Sequence, residues 1–286
     1  MSLPNVNITL GNGNIGTVTL SDDGISGLIL SGKAVDTKLA LDKVYILAGT
    51  SDLKKYGITK ENNPLLYKDI MAFYTAAGDG AELHLLVVDE DKTLTEICAM
   101  DDDAPLRKLI DSAAGRIRLV GINVNPGADY EPEITKCIDP DVVTAVTAAQ
   151  QVASNYLEKI APFVVLLPAL AWSGETTGLY QPREGSQDSV SVVLASDGKV
   201  GNGKFYSAAI GQVLGRLATC AVNISLARVR DGSIAAEGWL TDGKKPEDDY
   251  SLWNTLHDAG YIFYRTFIGK NGYYLNDDPT AVATTG

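Results

Sequence analysis

The sequence is poor in the residues that build most catalytic and metal sites. Its 286 residues include only two histidines and three cysteines. Cys98, Cys137 and Cys220 are far apart and form no C-x-x-C pair, so neither a zinc site nor a disulfide framework is predicted, and we expect free thiols in a reducing compartment. The H-E-x-x-H and G-x-S-x-G motifs are also missing. The sequence therefore predicts no enzyme, no metal site and no cofactor.

Long apolar runs and positive charge are also scarce. No apolar run approaches the roughly 20 residues that a membrane span needs. The first residues, MSLPNVNITLGNGN, lack the basic region and apolar core of a signal peptide. The 36 acidic residues outnumber the 24 basic ones, which gives a net charge of −12. Such a surface repels nucleic-acid phosphates and anionic membranes, so we expect neither as a partner.

Strand and helix patterns alternate after residue 25 and predict an α/β fold, with a mixed sheet flanked by helices. We expect one body over residues 21–276, with an arm at each end, over residues 1–20 and 277–286. Five buried strands are predicted from short apolar runs bounded by glycine, proline or charge. They are Leu41–Ala48, Leu83–Val88, Arg116–Val124, Phe163–Leu167 and Val190–Ala195.

Helices are predicted where apolar residues recur at 3.6 spacing. One begins with Asn63 as its capping residue and Pro64 in its first turn, a second covers Leu106–Ala114, and the longest covers about 140–160. The fourth, Ser207–Val222, carries Ser207, Gly211, Gly215 and Thr219 on one smooth face, which lets a neighbouring backbone come close.

Several polar and aromatic residues allow either a functional or a structural interpretation. Asp101, Asp102 and Asp103 could bind a divalent cation, but carboxylates before a helix more often cap its free amides. His84, between leucines in a strand, is typical of a packed or edge-exposed side chain rather than a catalytic one. In the polar loop 171–189, Trp172 and Tyr180 could mark a contact patch.

Two glycine-rich motifs resemble nucleotide-binding loops. Gly11–Gly16 fits G-x-G-x-x-G, but the alternating, β-branched residues after it favour a strand over the helix that must hold a pyrophosphate. Gly198–Lys204 fits G-x-x-x-x-G-K after a strand, but Phe205 replaces the hydroxyl that holds Mg²⁺. A glycine-rich surface turn is favoured there. One alternative is an α/β nucleotide-binding protein or enzyme that uses the Gly198–Lys204 loop, and another is a monomeric ligand-binding module.

The two arms have the composition of strands that lack a partner in their own body. Val6, Ile8 and Leu10 share one face of a period-two segment, and glycines follow them. Ala281 and Val282 lie in a nearly uncharged, β-branched tail. Exposed apolar strands are an aggregation hazard unless another subunit supplies the edge that they pair with. These five residues are therefore the predicted subunit interface.

Two stretches carry a resemblance to a known family. Leu252–Ala281 reads as a helix end, a turn at Gly260, a strand Tyr261–Ile268, a tight turn at Lys270–Gly272 and a return strand Tyr273–Asn276. Phe73–Asp89 reads as a helix end, a glycine turn and a buried strand. Together they resemble contractile tail sheath proteins of phages and related injection systems.

The resemblance implies a structural protein. It implies an α/β body whose arms add strands to the sheets of neighbours, and stacked six-fold rings around a tail tube. The implied partners are further copies of the chain, the tail tube protein and the baseplate. The implied location is the host bacterial cytoplasm during assembly, and then the virion tail or injection apparatus. Because the chain is short for this family, we expect a minimal, prophage-type sheath or a related tail or baseplate part.

Overall fold

The computed structural model describes residues 25–126, 130–159, 161–185, 187–201, 205–219 and 225–277. Strands and helices are numbered along the chain. Seven strands form the central sheet: β1 Ser26–Ser31, β2 Val44–Leu47, β3 Leu83–Val88, β4 Leu119–Asn123, β5 Val164–Pro168, β6 Val190–Val193 and β10 Tyr261–Ile262. Their order across the sheet is β10–β6–β5–β4–β1–β3–β2. All neighbours are parallel except β2, which runs antiparallel to β3 at one edge.

The central strands are buried on both faces, as the run Ser26–Ser31 illustrates. Successive side chains of a strand point to opposite faces, so Leu28 and Leu30 belong to one apolar core and Ile29 to the other. Helices cover both faces of the sheet, which is why its parallel strands consist of nearly continuous apolar residues.

The helices divide between the two cores. They are α1 Ser51–Lys55, α2 Pro64–Ala77, α3 Leu94–Ile97, α4 Pro105–Ser112, α5 Pro140–Glu158, α6 Ile210–Thr219 and α7 Ser251–Ala259. Helices α3, α4, α5 and α7 pack in the core on one face of the sheet. Helices α1, α2 and α6 pack in the core on the other.

Two small sheets contribute mainly to the second core, although Leu240 belongs to the first. Strands β7 Ala195–Lys199, β8 Tyr206–Ala208 and β9 Trp239–Leu240 form an antiparallel sheet in the order β8–β7–β9. Strands β11 Tyr264–Arg265 and β12 Tyr274–Leu275 form an antiparallel hairpin.

The predicted α/β class is confirmed: a mixed sheet lies between helices. Each of the five predicted strands corresponds to an observed strand, with ends that differ by three residues or fewer. The sequence interpretation missed β1, although it is a central strand of the sheet.

The helix predicted over Ser207–Val222 begins later than expected. Ser207 lies in β8, and its carbonyl accepts a hydrogen bond of 2.6 Å from the Ser196 hydroxyl. Within α6, the predicted close approach is confirmed. A Cβ atom added at Gly211 would lie 2.1 Å from the Asp69 carbonyl oxygen, and one at Gly215 would lie 2.4 Å from that of Phe73. The glycines therefore let α6 pack backbone to backbone against α2.

Both predicted helix caps are wrong in detail. The Asn63 side chain makes no cap bond; its amide accepts from the Lys33 backbone N–H at 2.7 Å and donates to the Lys33 carbonyl at 3.0 Å. It thus anchors the loop after β1. The capping residue of α4 is Ala104 rather than an aspartate, and Asp102 instead forms an ion pair of 2.8 Å with Arg107.

The structure shows the environments of His84 and of the two aromatic residues in the predicted contact patch, Trp172 and Tyr180. His84 is buried in β3, so it has the packed one of the two predicted environments, and its Nε2 lies 2.8 Å from a carboxylate oxygen of Glu82. Trp172 was expected to be available for contacts, but it is only 3% exposed, and its indole N–H donates to the Glu175 carbonyl. Tyr180 is half-buried against the first core. Trp172 therefore belongs to the body itself.

Candidate subunit-contact surfaces

The five predicted interface residues, Val6, Ile8, Leu10, Ala281 and Val282, lie outside the described residues, so their role stays a prediction. The structure does show where the two arms join the body. Residues 1–24 lead into Ile25 and then directly into β1, between β3 and β4. The C-terminal segment follows β12 through Asn276 and Asp277.

The C-terminal stretch forms two separate strands where the sequence predicted one. Helix α7 ends at Gly260, whose φ of +96° is left-handed and suits a residue without a Cβ atom. Tyr261 and Ile262 then join the central sheet, and the chain leaves that sheet before β11. Asn276 stabilises the segment between β10 and β11, because its side-chain oxygen accepts a 2.7 Å hydrogen bond from the Phe263 N–H.

A hairpin lies at the predicted place, but the predicted tight turn is wrong, because residues 266–273 connect the strands and the hydrogen-bonded turn runs from Phe267 to Lys270. Tyr264 pairs with Leu275, and Arg265 pairs with Tyr274. Gly272 has a φ of +80°, as predicted for the turn. In the part of the chain that the structure describes, β11 and β12 pair only with each other. Next to β12, however, Tyr273 forms an antiparallel bridge with Ala235, so this side of the hairpin is already paired where the strand begins.

An aromatic surface extends from the hairpin onto α7. The Arg265 guanidinium lies 5.5 Å from the ring centre of Trp253 and 4.3 Å from that of Phe267. Phe267 contacts Tyr274 edge-on, with ring centres 5.2 Å apart. Ile268, at the tip, is fully exposed. Apolar and stacked cationic groups of this kind are enriched at protein interfaces, so this surface suits a protein partner.

A buried charged cluster joins the small antiparallel sheet to the body. The Lys68 ammonium of α2 lies 2.6 Å from an Asp197 oxygen and 3.1 Å from an Asp69 oxygen. Burial alone would lower the pKa of Lys68, but Asp197 and Asp69 together raise it above its ordinary value, so Lys68 is charged at neutral pH. Burial raises the pKa of Asp197, against the opposing effect of Lys68.

The same cluster reaches the carboxyl end of β4. The Asn123 amide donates to Asp69 at 2.8 Å and to the Ala208 carbonyl at 3.0 Å. The Gly211 N–H donates to the other Asp69 oxygen at 3.3 Å. These bonds connect α2, β4, β8 and α6, so the arrangement serves to hold elements together. Sequence reasoning missed it, although Asp69 lies three residues after Leu66 on the apolar stripe of α2.

The Gly198–Lys204 loop lacks the surroundings of a phosphate-binding loop. It connects β7 to β8, which are antiparallel and pair Lys199 with Tyr206. Residues 202–204 lie outside the described residues, but the next helix begins only at Ile210. A phosphate loop needs helix amides directly after its glycines. The loop is therefore a hairpin connection, as the turn interpretation predicted. The Gly11–Gly16 motif lies outside the described residues.

The two histidines are far apart. His84 lies in β3, whereas His257 lies on α7, which packs beside β10 at the other end of the sheet. Five strand spacings separate β3 from β10, a distance of about 24 Å. In the described ranges, no group of three or more histidine, cysteine, aspartate or glutamate side chains could hold a metal ion. In the same ranges, no helix has both the length and the apolar character of a membrane span.

Comparison with known proteins gives a family and a fold. The sequence family described as DUF2586, N-terminal domain, matches residues 3–279. No curated protein matches the chain. Among solved structures, the helical sheath of the anti-feeding prophage in its contracted state matches 96% of this chain and 67% of its own, at 15% identity and a TM-score of 0.52. The contracted sheath of an extracellular contractile injection system, PVC, matches 96% of this chain and 65% of its own, at 14% identity and a TM-score of 0.47.

The resemblance to contractile sheath proteins predicted from the sequence is therefore confirmed at the level of the fold. This chain spans about two thirds of the length of both sheath chains.

Proposed function

This chain belongs to the DUF2586 family, with residues 3–279 matching its N-terminal domain, and on that premise we propose that it is a structural subunit of a contractile tail sheath. In this proposal, copies assemble into stacked hexameric rings around a tail tube, and their arms exchange strands between neighbours. The observation that carries the proposal is the fold likeness to a helical sheath protein over 96% of the chain.

The hairpin β11–β12 supports strand exchange. Its two strands pair with no third strand among the described residues, although Tyr273, next to β12, forms a bridge with Ala235. Main-chain hydrogen bonds from an added strand would supply affinity, and side chains of alternate residues would supply specificity. The arm with Val6, Ile8 and Leu10 has the period-two pattern that such an added strand needs. Arms of this kind would keep subunits joined while their bodies move relative to one another.

The further partners follow from a sheath's place in a tail. A sheath surrounds the tube and is anchored at the baseplate, so the proposed partners are the chain itself, the tail tube protein and the baseplate. No catalytic step is part of the proposal. The proposed location is the host bacterial cytoplasm during assembly, and then the virion tail or injection apparatus.

Removal of residues 1–16 tests the arm. We expect the truncated chain to keep its circular dichroism and cooperative melting but to lose higher assembly, because Pro4 and the glycines after Leu10 would tie the segment only weakly to its own body. Light scattering and electron microscopy of intact and truncated protein at equal concentration measure this. If the truncated chain unfolds, the segment belongs to its own core. If it assembles as well as the intact chain, strand exchange through this arm is wrong.

A pair of point variants sharpens the test. Ile8→Asp places a carboxylate on the apolar face of the arm and should weaken assembly, because burying an unpaired charge is costly. Asn7→Asp adds the same charge to the opposite face and should leave assembly close to that of the wild type. Equal loss in both variants would mean that net charge, rather than the apolar face, controls assembly.

A further inference from the structure

Positive charge is concentrated in one short part of this acidic chain. Residues 33–60 contain six lysines and three aspartates, a local charge of +3. The other 258 residues contain 18 basic and 33 acidic residues, a charge of −15. The chain therefore carries a basic region on an otherwise acidic body.

The fold places this basic region along one open edge of the central sheet. Strand β2 is the last strand of the sheet and pairs only with β3 among the described residues. Six exposed lysines precede it, adjoin it or follow it: Lys33, Lys38, Lys43, Lys54, Lys55 and Lys60. In the described part of the chain, only Lys33 of these six has an ion-pair partner, Glu90 at 3.4 Å. We call the other five the lysine edge.

Aromatic and apolar side chains lie beneath the lysine edge. Tyr45 of β2 and Tyr56 contact each other edge-on, with ring centres 4.9 Å apart. The Lys43 ammonium lies 5.4 Å from the Tyr45 ring centre, and the Lys55 ammonium lies 4.9 Å from that of Tyr56. Ile46, the next residue of β2, points to the opposite face of the strand and is 57% exposed there. Cations stacked on partly buried rings combine charge with apolar area, as contact surfaces do.

Lysines on an edge strand can also have a purely protective role. They discourage another strand from pairing with the exposed backbone and so prevent aggregation. The two roles make opposite predictions. Removing protective charges would increase association between copies, whereas removing docking charges would decrease it.

We propose that the lysine edge binds the acidic surface of a second copy of this chain. Charge complementarity supports this occupant, because outside residues 33–60 every copy carries a strong excess of carboxylates. A basic edge against an acidic face is a heterologous contact, and such contacts build rings or helical filaments instead of closed dimers. The inference rests on the proposed sheath function and adds a second contact to the one made by the arms.

The test is charge reversal at the centre of the edge, with a matched control. The variant Lys43→Glu with Lys55→Glu removes the two cations that stack on the Tyr45 and Tyr56 rings and leaves Lys60, which stacks on Tyr67. The control, Lys108→Glu with Lys136→Glu, makes the same change in net charge at two exposed lysines elsewhere. We expect the edge variant to raise the protein concentration needed for half-maximal assembly about tenfold or more, and the control to change it much less. Both variants should melt like the wild type.

Mixing and salt give two independent measurements. The edge variant can still join a wild-type lysine edge through its own acidic surface, but its own edge keeps only three of its five lysines and gains two carboxylates, so it binds the next copy weakly. When a small amount of the edge variant is mixed with an excess of wild-type protein, the assemblies seen in electron micrographs should therefore be shorter. Raising the salt concentration from about 0.1 M to about 1 M should weaken wild-type assembly, because the screening length falls from about 10 Å to about 3 Å.

The outcomes separate this inference from the proposed function. Unchanged or increased assembly of the edge variant would overturn the lysine-edge contact in favour of a protective role and leave the sheath proposal intact. Equal loss in the edge variant and the control would also overturn it. A wild-type chain that stays monomeric at high concentration would overturn both proposals.

Discussion

Replacing Lys68 with methionine should destabilise the body far more than replacing its partner Asp197 with asparagine. Methionine keeps most of the length of the side chain but removes the charge. Two carboxylates then remain side by side, because Asp197 and Asp69 both lie within 3.1 Å of the lost ammonium group. The Asp69 side chain is completely buried, and that of Asp197 is 17% exposed.

The size of the effect follows from charge balance. Removing one partner of a buried ion pair costs about 3–5 kcal/mol, because the other charge is left unpaired. For Lys68→Met we expect the lower end, about 3 kcal/mol, since water reaches part of the cluster. Asp197→Asn leaves a balanced Lys68–Asp69 pair and loses mainly one hydrogen bond, at a cost of about 1 kcal/mol.

The pH dependence has a definite sign. Burial and the neighbouring carboxylate raise the pKa of Asp197, and loss of Lys68 raises it further. A group whose pKa is higher in the folded state than in the unfolded state stabilises the fold below its unfolded pKa, and this contribution is lost as pH rises through the folded pKa. The destabilisation of Lys68→Met should therefore shrink as pH falls from 7 towards 5.

Urea denaturation of the wild type and both variants at pH 7 and pH 5 measures these differences. Equal costs for the two substitutions, or a Lys68→Met cost that does not change with pH, would refute the view that charge balance controls this cluster.

Two further predictions concern glycines. Gly211→Val should lower the free energy of unfolding, measured by chemical denaturation, by about 3 kcal/mol or more, because its Cβ atom would lie 2.1 Å from the Asp69 carbonyl oxygen and force α6 away from α2. Thr219→Val, at the exposed end of α6, is the control, and similar denaturation midpoints for the two variants would contradict the close packing. Gly272→Val should lower the free energy of unfolding by roughly 1–3 kcal/mol, because φ is +80° and the new Cβ atom would lie 2.7 Å from the Ala235 carbonyl oxygen. An unchanged denaturation midpoint would show that the turn does not constrain the hairpin.

Much of the fold could be predicted from patterns that depend only on near neighbours. Leu83–Val88 has the predicted bounds because six apolar or buried residues lie between a glycine-containing turn and Asp89. The longest helix begins after Asp139, whose carboxylate accepts from the Asp141 N–H. Gly211 and Gly215 recur at one helical turn, so their smooth face was visible in the sequence.

The missed features depend on partners distant in the chain. Strand β1 contains Gly27 and is flanked by serines, so its short apolar run carries little local signal; pairing with β3 and β4 defines it. The spacing of Ser207 predicts a helical face, but its backbone pairs with Gly198 of β7, so it belongs to a strand. Asn63 has the composition of a cap, yet the Lys33 backbone, 30 residues away, provides its bonds.

The candidate contacts divide in the same way. The arms were predicted from composition alone, and their pairing still rests on the patterns around Ile8 and Val282. The lysine edge could not be predicted from the sequence, because a cluster of lysines becomes an edge only when β2 is known to be the last strand.

The position of β1 has a mechanical consequence. Residues 1–24 lead directly into this strand, which pairs in parallel with β3 over six residues and with β4 over five. A pull transmitted through the N-terminal segment acts along β1 and loads the hydrogen bonds on both of its sides in shear, all at the same time. Rupture then requires many bonds to fail together rather than one after another, as they would if the strand were peeled from an edge. Force from a neighbouring subunit would therefore move this body as a rigid unit before it unravelled the sheet.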